Sequence, residues 1–230
     1  MDINNEWDLV AESYTEFVKK SLSANYRIQF ITEHFTKIQN LKILDAGCGN
    51  GEYTHILTNN GAKVIGCDGS IEMLKIAKSK YPLYQFDHVN LLESIPYGDN
   101  EFDIVFCNMV LMDIDPIDNL ISEFYRVVKN NGLFFISIVH PAFFLGNWEK
   151  DEKGTVISKK VTNYITPFVE KFNFWGITTH YHRPISFYFN KISEVGFSLN
   201  KMFEPIVDGD SRIPEIPIEL CVEFIKIDRK

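Results

Sequence analysis

The sequence predicts an α/β fold built on a doubly wound parallel sheet. From residue 42 onward, short apolar runs typical of buried strands alternate with helical stretches. The most hydrophobic run, residues 133–139, is typical of the centre of a parallel sheet that is covered on both faces. Strands that alternate with helices form right-handed βαβ units, and these units build a doubly wound sheet.

Two helices are predicted ahead of the sheet, within residues 6–39. Apolar residues spaced by three and four predict the first of them around Trp7, Val10, Tyr14, Phe17 and Val18. Ile28, Ile31, Phe35 and Ile38 form a second set with the same spacing. Residues 1–40 are therefore predicted to form an N-terminal helical cap.

The alternating region predicts five strands and three helices. The strands are predicted at residues 42–46, 63–67, within 83–89, at 102–107 and at 133–139. The helices are predicted at residues 52–60, closed by Gly61, then after the N-cap Ser70, and at 117–129, ended by Asn130, Asn131 and Gly132. A later helix, 184–195, ends at Gly196 and precedes two last strands at 197–203 and 220–227.

Residues 141–180 break this alternation and are predicted to be an irregular, aromatic-rich insertion after the fifth strand. The insertion follows the carboxyl end of a strand, which is where ligands bind in open α/β sheets. We predict that it forms a lid over a pocket; the alternative is an aromatic cluster that serves stability alone. With no linker along the chain, residues 1–230 are predicted to form a single domain.

Composition disfavours nucleic acid and membranes as partners. The 230 residues carry 23 Lys and Arg against 31 Asp and Glu, a net charge of −8, and no run of four basic residues occurs. The longest strongly apolar run is about a third of the roughly 20 residues that span a bilayer. The first residues are polar and acidic, unlike a signal peptide.

The cysteines indicate a reducing compartment. Cys48, Cys67, Cys107 and Cys221 are far apart and form no C-x-x-C pair, so metal ribbons and thioredoxin-like redox sites are disfavoured. We therefore predict a cytoplasmic protein without a metal site.

The glycine-rich turn at residues 47–51 carries the strongest functional signal. Glycines between a strand and a helix allow a ligand to approach the backbone at the helix N-terminus. Asp45, within the preceding strand, is costly to bury unless it receives hydrogen bonds. Asp68, at the tip of the second strand, can accept both hydroxyls of a ribose, or can simply cap a turn. Glu52 occupies the third glycine position of a dinucleotide fingerprint, which disfavours a nicotinamide cofactor.

The pairing of D-A-G-C-G-N-G (45–51) with G-C-D (66–68) resembles class I S-adenosylmethionine-dependent methyltransferases. Residues 99–105 resemble the D-x-x-F-D-x-V entry to their fourth strand, and residues 123–132 are similar to their E-x-x-R-V-L-K-P-G-G helix end. The resemblance covers roughly residues 40–140. It implies a Rossmann-like seven-stranded sheet with helices on both faces and an antiparallel last strand. It also implies S-adenosyl-L-methionine as cofactor and S-adenosyl-L-homocysteine as product.

The resemblance assigns the cofactor-binding residues position by position. Asp45, Gly47 and Gly49 would line the methionine end, and Asp68 would bind the ribose. Gly69 and Met73 would flank the adenine.

Three further positions follow from the same resemblance. Asn90 and Leu91 match the loop that contacts the adenine amino group; the family usually has Asp at the first position, and Asn can still accept that hydrogen bond. The backbone of Asn108 would face the sulfonium and the carboxylate. Tyr14 resembles a tyrosine that closes over the cofactor.

A narrower resemblance appears beyond residue 136. S-x-x-H-P-x-F (137–143) and H-R-P-I (182–185) look like signatures of a bacterial branch of small-molecule methyltransferases related to the ubiquinone and menaquinone group. His140, His182 and Arg183 are the candidate catalytic residues, as bases or as an anchor for an acidic substrate group. Two of them have a structural alternative: His140 could shape the turn before Pro141, and Arg183 could tie the lid to an acidic residue.

The resemblance implies an enzyme that moves a methyl group by in-line displacement to O, N or C of a small, planar or apolar molecule. A non-catalytic S-adenosylmethionine-binding module is the first alternative, and an NAD(P)-dependent oxidoreductase is the second. A nucleic-acid methyltransferase is disfavoured, because residues 108–111 lack the N-P-P-Y-like tetrapeptide of the amino-methylases.

Overall fold

The computed structural model describes residues 3–205 and 216–227. Its helices are α1 (Ile3–Lys20), α2 (Leu22–His34), α3 (Glu52–Asn59), α4 (Ile71–Lys80), α5 (Asp118–Val127) and α6 (Ile185–Val195). Its strands are β1 (Lys42–Ala46), β2 (Lys63–Asp68), β3 (Gln85–His88), β4 (Phe102–Asn108), β5 (Val128–Val139), β6 (Asn147–Lys150), β7 (Val156–Lys160), β8 (Phe168–Asn173), β9 (Ile177–His182), β10 (Phe197–Phe203) and β11 (Glu219–Lys226). None of these described helices is long and apolar enough to cross a bilayer.

One seven-stranded sheet organises the fold, in the order β10-β11-β5-β4-β1-β2-β3. β1 pairs in parallel with β2 and β4, and β3 and β5 continue the parallel arrangement. β11 runs antiparallel to both of its neighbours, β5 and β10. The predicted doubly wound, Rossmann-like sheet with an antiparallel last strand is confirmed. The chain reverses its direction across the sheet between β1 and β4, which is the position where such sheets bind ligands.

Two apolar clusters cover the two faces of the sheet. On one face, Leu120, Ile121 and Phe124 of α5 pack with Tyr188 and Ile192 of α6. On the other, Ile31 of α2 and Ile56 and Leu57 of α3 pack against Ile43 and Phe106. Because both faces are covered, the central strands contain runs of buried apolar residues, as the sequence indicates.

The predicted end of the helix at residues 117–129 is wrong. α5 ends at Val127, the last residue of its buried face, and β5 begins at once with Val128. The asparagine and glycine signal instead marks an irregularity inside β5, where Asn131 has φ +62° and the register to β4 shifts. A Cβ on Gly132 would lie 2.8 Å from the Lys129 carbonyl oxygen, so this close approach requires glycine.

The insertion at residues 141–180 is not irregular. It contains the two-stranded antiparallel sheet β6-β7 and most of a second, β8-β9, whose last strand continues to His182. These short, half-exposed strands lack the apolar runs that mark the main sheet. The single-domain prediction and the lid stay predictions.

The N-terminal helices lie beside the carboxyl ends of the main strands. α2 begins at the N-cap Ser21, whose side chain accepts from the Ala24 N–H, and it ends at His34, earlier than the predicted residue 39. α1 is joined to α4, because Asp8 accepts hydrogen bonds from the Ser70 hydroxyl and the Glu72 N–H. α1 is also joined to β9, because Glu6 accepts from the backbone N–H and hydroxyl of Thr179.

Candidate functional site

A first cavity, of about 950 Å³ when the open solvent at its mouth is included, lies at the carboxyl ends of β1, β2 and β4, with α1 as one wall. The residues that line it include Trp7, Tyr14, Arg27, Gly47, Gly49, Asp68, Gly69, Met73, Asn90, Leu91, Asn108, Met109 and Asp113. The cavity therefore occupies the position where the strand order reverses.

The glycine-rich turn shapes the floor of this cavity. Gly47 has φ +75°, and a Cβ there would lie 2.3 Å from Cγ2 of Val110, so only glycine fits. Its N–H donates to the carbonyl oxygen of Cys67 at 2.8 Å, which ties the turn to β2. Gly49 has φ +52° and nothing within 4 Å of its Cβ position. The backbone at Gly49 is thus open to a ligand.

Asp68 holds its carboxylate at the edge of this open space. Oδ2 accepts from the Gly49 N–H at 2.8 Å, and Oδ1 accepts from the Ser70 N–H at 2.8 Å. Burial raises the pKa of Asp68, and these two N–H groups oppose the rise. Because each carboxylate oxygen has two acceptor sites, both can still accept a hydroxyl from a ligand.

The structure brings most of the predicted cofactor residues to this one cavity. Tyr14, Gly69, Met73, Leu91 and Asn108 all line it with the glycine turn. Burial raises the pKa of the Tyr14 hydroxyl, which therefore stays protonated and can donate a hydrogen bond.

Asn90 also lines the cavity, but its side chain already organises its own loop. Its Oδ1 accepts from the Leu92 N–H at 3.1 Å, and its Nδ2 donates to Glu93. One acceptor site remains on Oδ1 for the adenine contact that the sequence predicts.

Asp45 is not on the cavity wall. It is 1% exposed, and its Oδ2 accepts from the Thr54 hydroxyl at 2.6 Å. Burial raises the pKa of Asp45 to about 7, against the smaller opposing effect of the Thr54 hydrogen bonds. Asp45 thus fixes the start of α3 to the end of β1.

The three predicted catalytic residues do not line either large cavity beside β1 and β4. The His140 ring accepts from the Ala142 N–H at Nδ1 and hydrogen-bonds to Glu204 at Nε2, 3.0 Å away. The His182 ring donates from Nε2 to the Tyr164 carbonyl oxygen at 2.8 Å. Both rings therefore have a structural task, the alternative that the sequence left open for His140.

Arg183 is also committed to a structural role. Its buried guanidinium donates to the carbonyl oxygens of Leu111 and Ile114 and to the Asp115 carboxylate. These contacts fix the loop after β4. Arg183 thus ties the end of the insertion to an acidic residue, as its structural alternative predicts.

A second cavity, of about 1,980 Å³ when the open solvent at its mouth is included, adjoins the first between α1, α2 and the insertion. The two cavities share Trp7, Tyr14, Val18, Arg27, Met109 and Asp113. Aromatic side chains of the insertion line the second one, namely Phe144, Trp148, Phe172, Phe174 and Trp175. In residues 3–205 and 216–227, no group of three His, Cys, Asp or Glu side chains could hold a metal ion.

The sequence prediction missed several residues at the junction of the cavities. Met109 has φ +58°, a conformation that is uncommon outside glycine and that concentrates at functional sites. Arg27 makes a two-armed ion pair with Glu219 across the wall. Asp113 and His180 face each other with 3.8 Å between Oδ1 and Nδ1. Only the alternation Thr178, His180, His182, typical of a strand, was visible in the sequence.

Comparisons with known proteins agree with this geometry. A family model described as methyltransferase domain matches residues 44–136. The resemblance to class I S-adenosylmethionine-dependent methyltransferases is thereby confirmed.

Among curated relatives, an uncharacterised methyltransferase of Synechocystis sp. is 37% identical over 110 residues, 46% of this chain and 50% of the relative. A demethylmenaquinone methyltransferase of Chlorobaculum parvum is 36% identical over 96 residues, 41% of this chain and 39% of the relative. The chain spans about half the length, or less, of these curated relatives.

Solved structures extend the similarity beyond the methyltransferase domain. A proposed S-adenosylmethionine-dependent methyltransferase from Listeria monocytogenes aligns with a TM-score of 0.73 and 25% identity, over 86% of this chain and 98% of its own. An S-adenosylmethionine-dependent methyltransferase from Mesorhizobium loti aligns with a TM-score of 0.76 over 89% of this chain and 100% of its own. At 20% identity, the second similarity concerns the fold alone.

Proposed function

We propose that this chain binds S-adenosyl-L-methionine in the first cavity and transfers its methyl group to a small molecule in the second. The Asp68 carboxylate carries the proposal: two backbone N–H groups fix it at the end of β2, beside the open backbone of Gly49. A carboxylate at this position binds ribose hydroxyls in nucleotide-binding sheets. The methyltransferase domain over residues 44–136 supports the same cofactor.

The described residues fit the chemical groups of this cofactor. Asp68 would accept the ribose hydroxyls, and the open backbone at Gly49 would admit the methionine end. Gly69 and Met73 would flank the adenine, and the Asn90–Leu91 loop would contact its amino edge. Tyr14 and Asn108 would lie toward the reacting end.

The chain contributes alignment and exclusion of water to the reaction. When bound, S-adenosyl-L-methionine supplies an activated methyl group on a sulfonium. In-line displacement at that methyl needs little covalent help, and alignment of reactants is worth up to roughly 7–11 kcal/mol. α1 and the turn between β8 and β9 cover the junction, where Tyr14 and Trp175 meet edge to face at 5.0 Å. They would keep water from the reacting atoms.

The second cavity supports a planar or apolar acceptor. Its insertion wall presents flat aromatic side chains, which pack well against rings. Curated relatives include demethylmenaquinone and ubiquinone biosynthesis methyltransferases, which also favours a small molecule. The acidic net charge of −8 disfavours nucleic acid as the acceptor.

Calorimetric titration with S-adenosyl-L-methionine and S-adenosyl-L-homocysteine tests the proposal. We expect both to bind wild-type protein, and we expect Asp68→Ala to weaken both by roughly 10- to 100-fold, since hydrogen bonds to a charged group are lost. Asp87→Ala is the matched control, because Asp87 lies on the neighbouring strand in the register pair with Cys67 and does not line the first cavity.

The outcomes separate the alternatives. Equal loss of affinity in Asp68→Ala and Asp87→Ala would contradict the assigned ribose contact. Binding of NAD in place of S-adenosyl-L-methionine would support the oxidoreductase alternative and contradict the proposal.

A further inference from the structure

One histidine differs from the other five in this chain. In each of the other five, one ring nitrogen makes a hydrogen bond to a defined partner: His34 to Glu223, His55 to Tyr84, His88 to Gly69, His140 to Glu204 and His182 to Tyr164. The partner of the His180 ring is the Asp113 carboxylate, 3.8 Å from Nδ1, and among residues 3–205 and 216–227 His180 is the histidine whose side chain lines the second cavity. Its buried imidazole thus lies at a cavity wall, beside a carboxylate.

The position of His180 relates it to both cavities. Its side chain lines the second cavity, and its Nδ1 lies 3.8 Å from Oδ1 of Asp113. Asp113 lines the first cavity as well as the second. The pair therefore lies where a methyl donor in the first cavity would meet an acceptor in the second.

The surroundings of His180 are aromatic and rigid. The rings of Phe144 and Phe172 lie 5.9 and 5.4 Å from the imidazole, measured between centroids. Strand β9 is fixed beside His180, because the Glu6 carboxylate accepts hydrogen bonds from the backbone N–H and the hydroxyl of Thr179. The flat ring of an acceptor fits against such an aromatic wall. A ring nitrogen of His180, which is part of this wall, would then meet a substituent on the acceptor ring.

We propose that His180 is the general base of the methyl transfer and that the acceptor is an aromatic ring carrying a hydroxyl group. This inference rests on the proposed function. The hydroxyl proton moves to Nε2 of His180, and the oxygen lone pair forms the new bond to the methyl carbon. The electron pair of the broken carbon–sulfur bond stays on sulfur, which becomes a neutral thioether. The imidazolium then releases its proton to solvent.

Asp113 acts as a positioning residue through His180. Its carboxylate faces Nδ1 and stabilises the imidazolium that forms. The other charged and titratable groups near the pair are Glu6 from α1, Arg183 after β9 and Tyr14 from α1. Burial raises the pKa of Asp113, Glu6 adds to this rise, and His180 and Arg183 oppose it.

Titration of 4-nitrophenol tests the base without turnover, because its phenolate absorbs visible light and its phenol does not. Excess wild-type protein is expected to lower the apparent pKa of 4-nitrophenol by about one unit or more, since the phenolate would pair with a protonated imidazole. His180→Gln should abolish this shift, and Asp113→Asn should reduce it. The titration is repeated with S-adenosyl-L-homocysteine present. An unchanged shift there would show that 4-nitrophenol does not occupy the first cavity.

His34→Gln is the matched control. His34 also pairs with a carboxylate, Glu223, among aromatic rings, but it lines neither of the two cavities. This variant should leave the shift unchanged. If His180→Gln does not fold, the Cε1–H resonance of His180 in wild-type protein replaces it, and it should move when 4-nitrophenol binds.

Several results would overturn the inference. Absence of 4-nitrophenol binding would show that the acceptor class is wrong. Binding with an unchanged pKa, or an equal shift in His180→Gln, would show that His180 is not the base. Calorimetry with S-adenosyl-L-homocysteine separates the two levels: cofactor binding with a failed phenol test overturns this inference alone, whereas a loss of both overturns the proposed function.

Turnover gives an independent readout once 4-nitrophenol is methylated. General bases contribute roughly 10²–10⁴-fold, so His180→Gln should slow transfer by about 100-fold or more. The pH profile of transfer should also differ between wild type and His180→Gln, because glutamine carries no proton-accepting ring nitrogen. An identical pH profile in the variant would overturn the role of His180.

Discussion

Asp45 and Asp68 are neighbouring carboxyl groups with different surroundings and different tasks. Asp68 receives two backbone N–H groups and lines the first cavity, whereas Asp45 receives the Thr54 hydroxyl and does not. Burial raises the pKa of Asp45 to about 7 from the ordinary 3.8. The native state therefore keeps a proton that the unfolded chain has released between about pH 4 and pH 7.

This difference predicts how Asp45→Asn changes the pH dependence of stability. Because the native state binds more protons in this window, the free energy of unfolding of wild type falls as the pH rises. Asn keeps an acceptor for Thr54 and has no proton to lose. Between about pH 4 and pH 8, the stability difference should move in favour of the variant by on the order of 2–4 kcal/mol. Urea unfolding across this range measures it, and parallel curves for the two proteins would contradict the assignment.

Gly47 and Gly49 predict a contrast between folding and binding. Both have positive φ, so alanine costs about 1 kcal/mol of backbone strain at either site. Gly47→Ala also drives a Cβ into Val110, adding about 1–3 kcal/mol of overpacking. Gly49→Ala meets open space in the fold but intrudes on the first cavity. Thermal unfolding should therefore single out Gly47→Ala.

Calorimetry should give the reverse result for Gly49. We expect Gly49→Ala to stay folded and to weaken S-adenosyl-L-homocysteine binding by tenfold or more, if about 1.4 kcal/mol of contact is lost. Unchanged affinity in Gly49→Ala would mean that no ligand group approaches this backbone.

At the scale of elements, Ser70 joins α4 to α1. Its hydroxyl accepts a hydrogen bond from the Met73 N–H at 3.1 Å, and its O–H donates to Oδ1 of Asp8 at 2.6 Å. Ser70→Ala removes both the N-cap and this connection, so we expect a loss of about 1–2 kcal/mol in the free energy of unfolding. Ser122→Ala is the control, because that exposed hydroxyl donates to the Asp118 carbonyl oxygen of its own helix, and it should change stability by less than about 0.5 kcal/mol. Equal effects would contradict the role of Ser70.

The elements of the main sheet were predictable because their signals are local. Ser70, Gly61 and Gly196 each end or begin a helix as their residue types indicate. Asn131 and Gly132 led to a wrong prediction of a helix end, because the residue types that end helices also occur at irregularities within strands. Strands β6 to β9 escaped prediction because a half-exposed hairpin needs no apolar run.

The candidate site divides along the same line. The glycine turn and Asp68 belong to one β-α-β unit, formed by β1, α3 and β2, so the sequence order places them at the same cavity. Asp113 and His180 come from a loop after β4 and a hairpin of the insertion, and only the folded chain brings them together. His182 belongs to the motif that the sequence analysis recognised, yet its ring hydrogen-bonds to the Tyr164 carbonyl oxygen. His180, two residues earlier on β9, lines the second cavity instead.

At the scale of the whole molecule, α1 and the β8-β9 turn pack against each other beside the two cavities. Trp175 packs against Trp7, Tyr14 and Phe17 of α1, with ring centroids 6.2, 5.0 and 5.2 Å away. The Ser13 hydroxyl donates to the Trp175 carbonyl oxygen. A ligand that fills the first cavity would touch Trp7 and Tyr14 and so favour the closed arrangement.

Hydrogen exchange therefore offers a test of closure. We expect S-adenosyl-L-homocysteine to slow amide exchange in α1 and in the turn between β8 and β9 by tenfold or more, because ligand contacts stabilise locally opening segments. The edge strand β10 should change little, since Phe197–Phe203 does not line the first cavity. Trp175→Ala should reduce the protection of α1 while leaving the ribose contact at Asp68 in place. Protection confined to the glycine turn, with α1 exchanging as before, would show that α1 and the hairpin do not close on the cofactor.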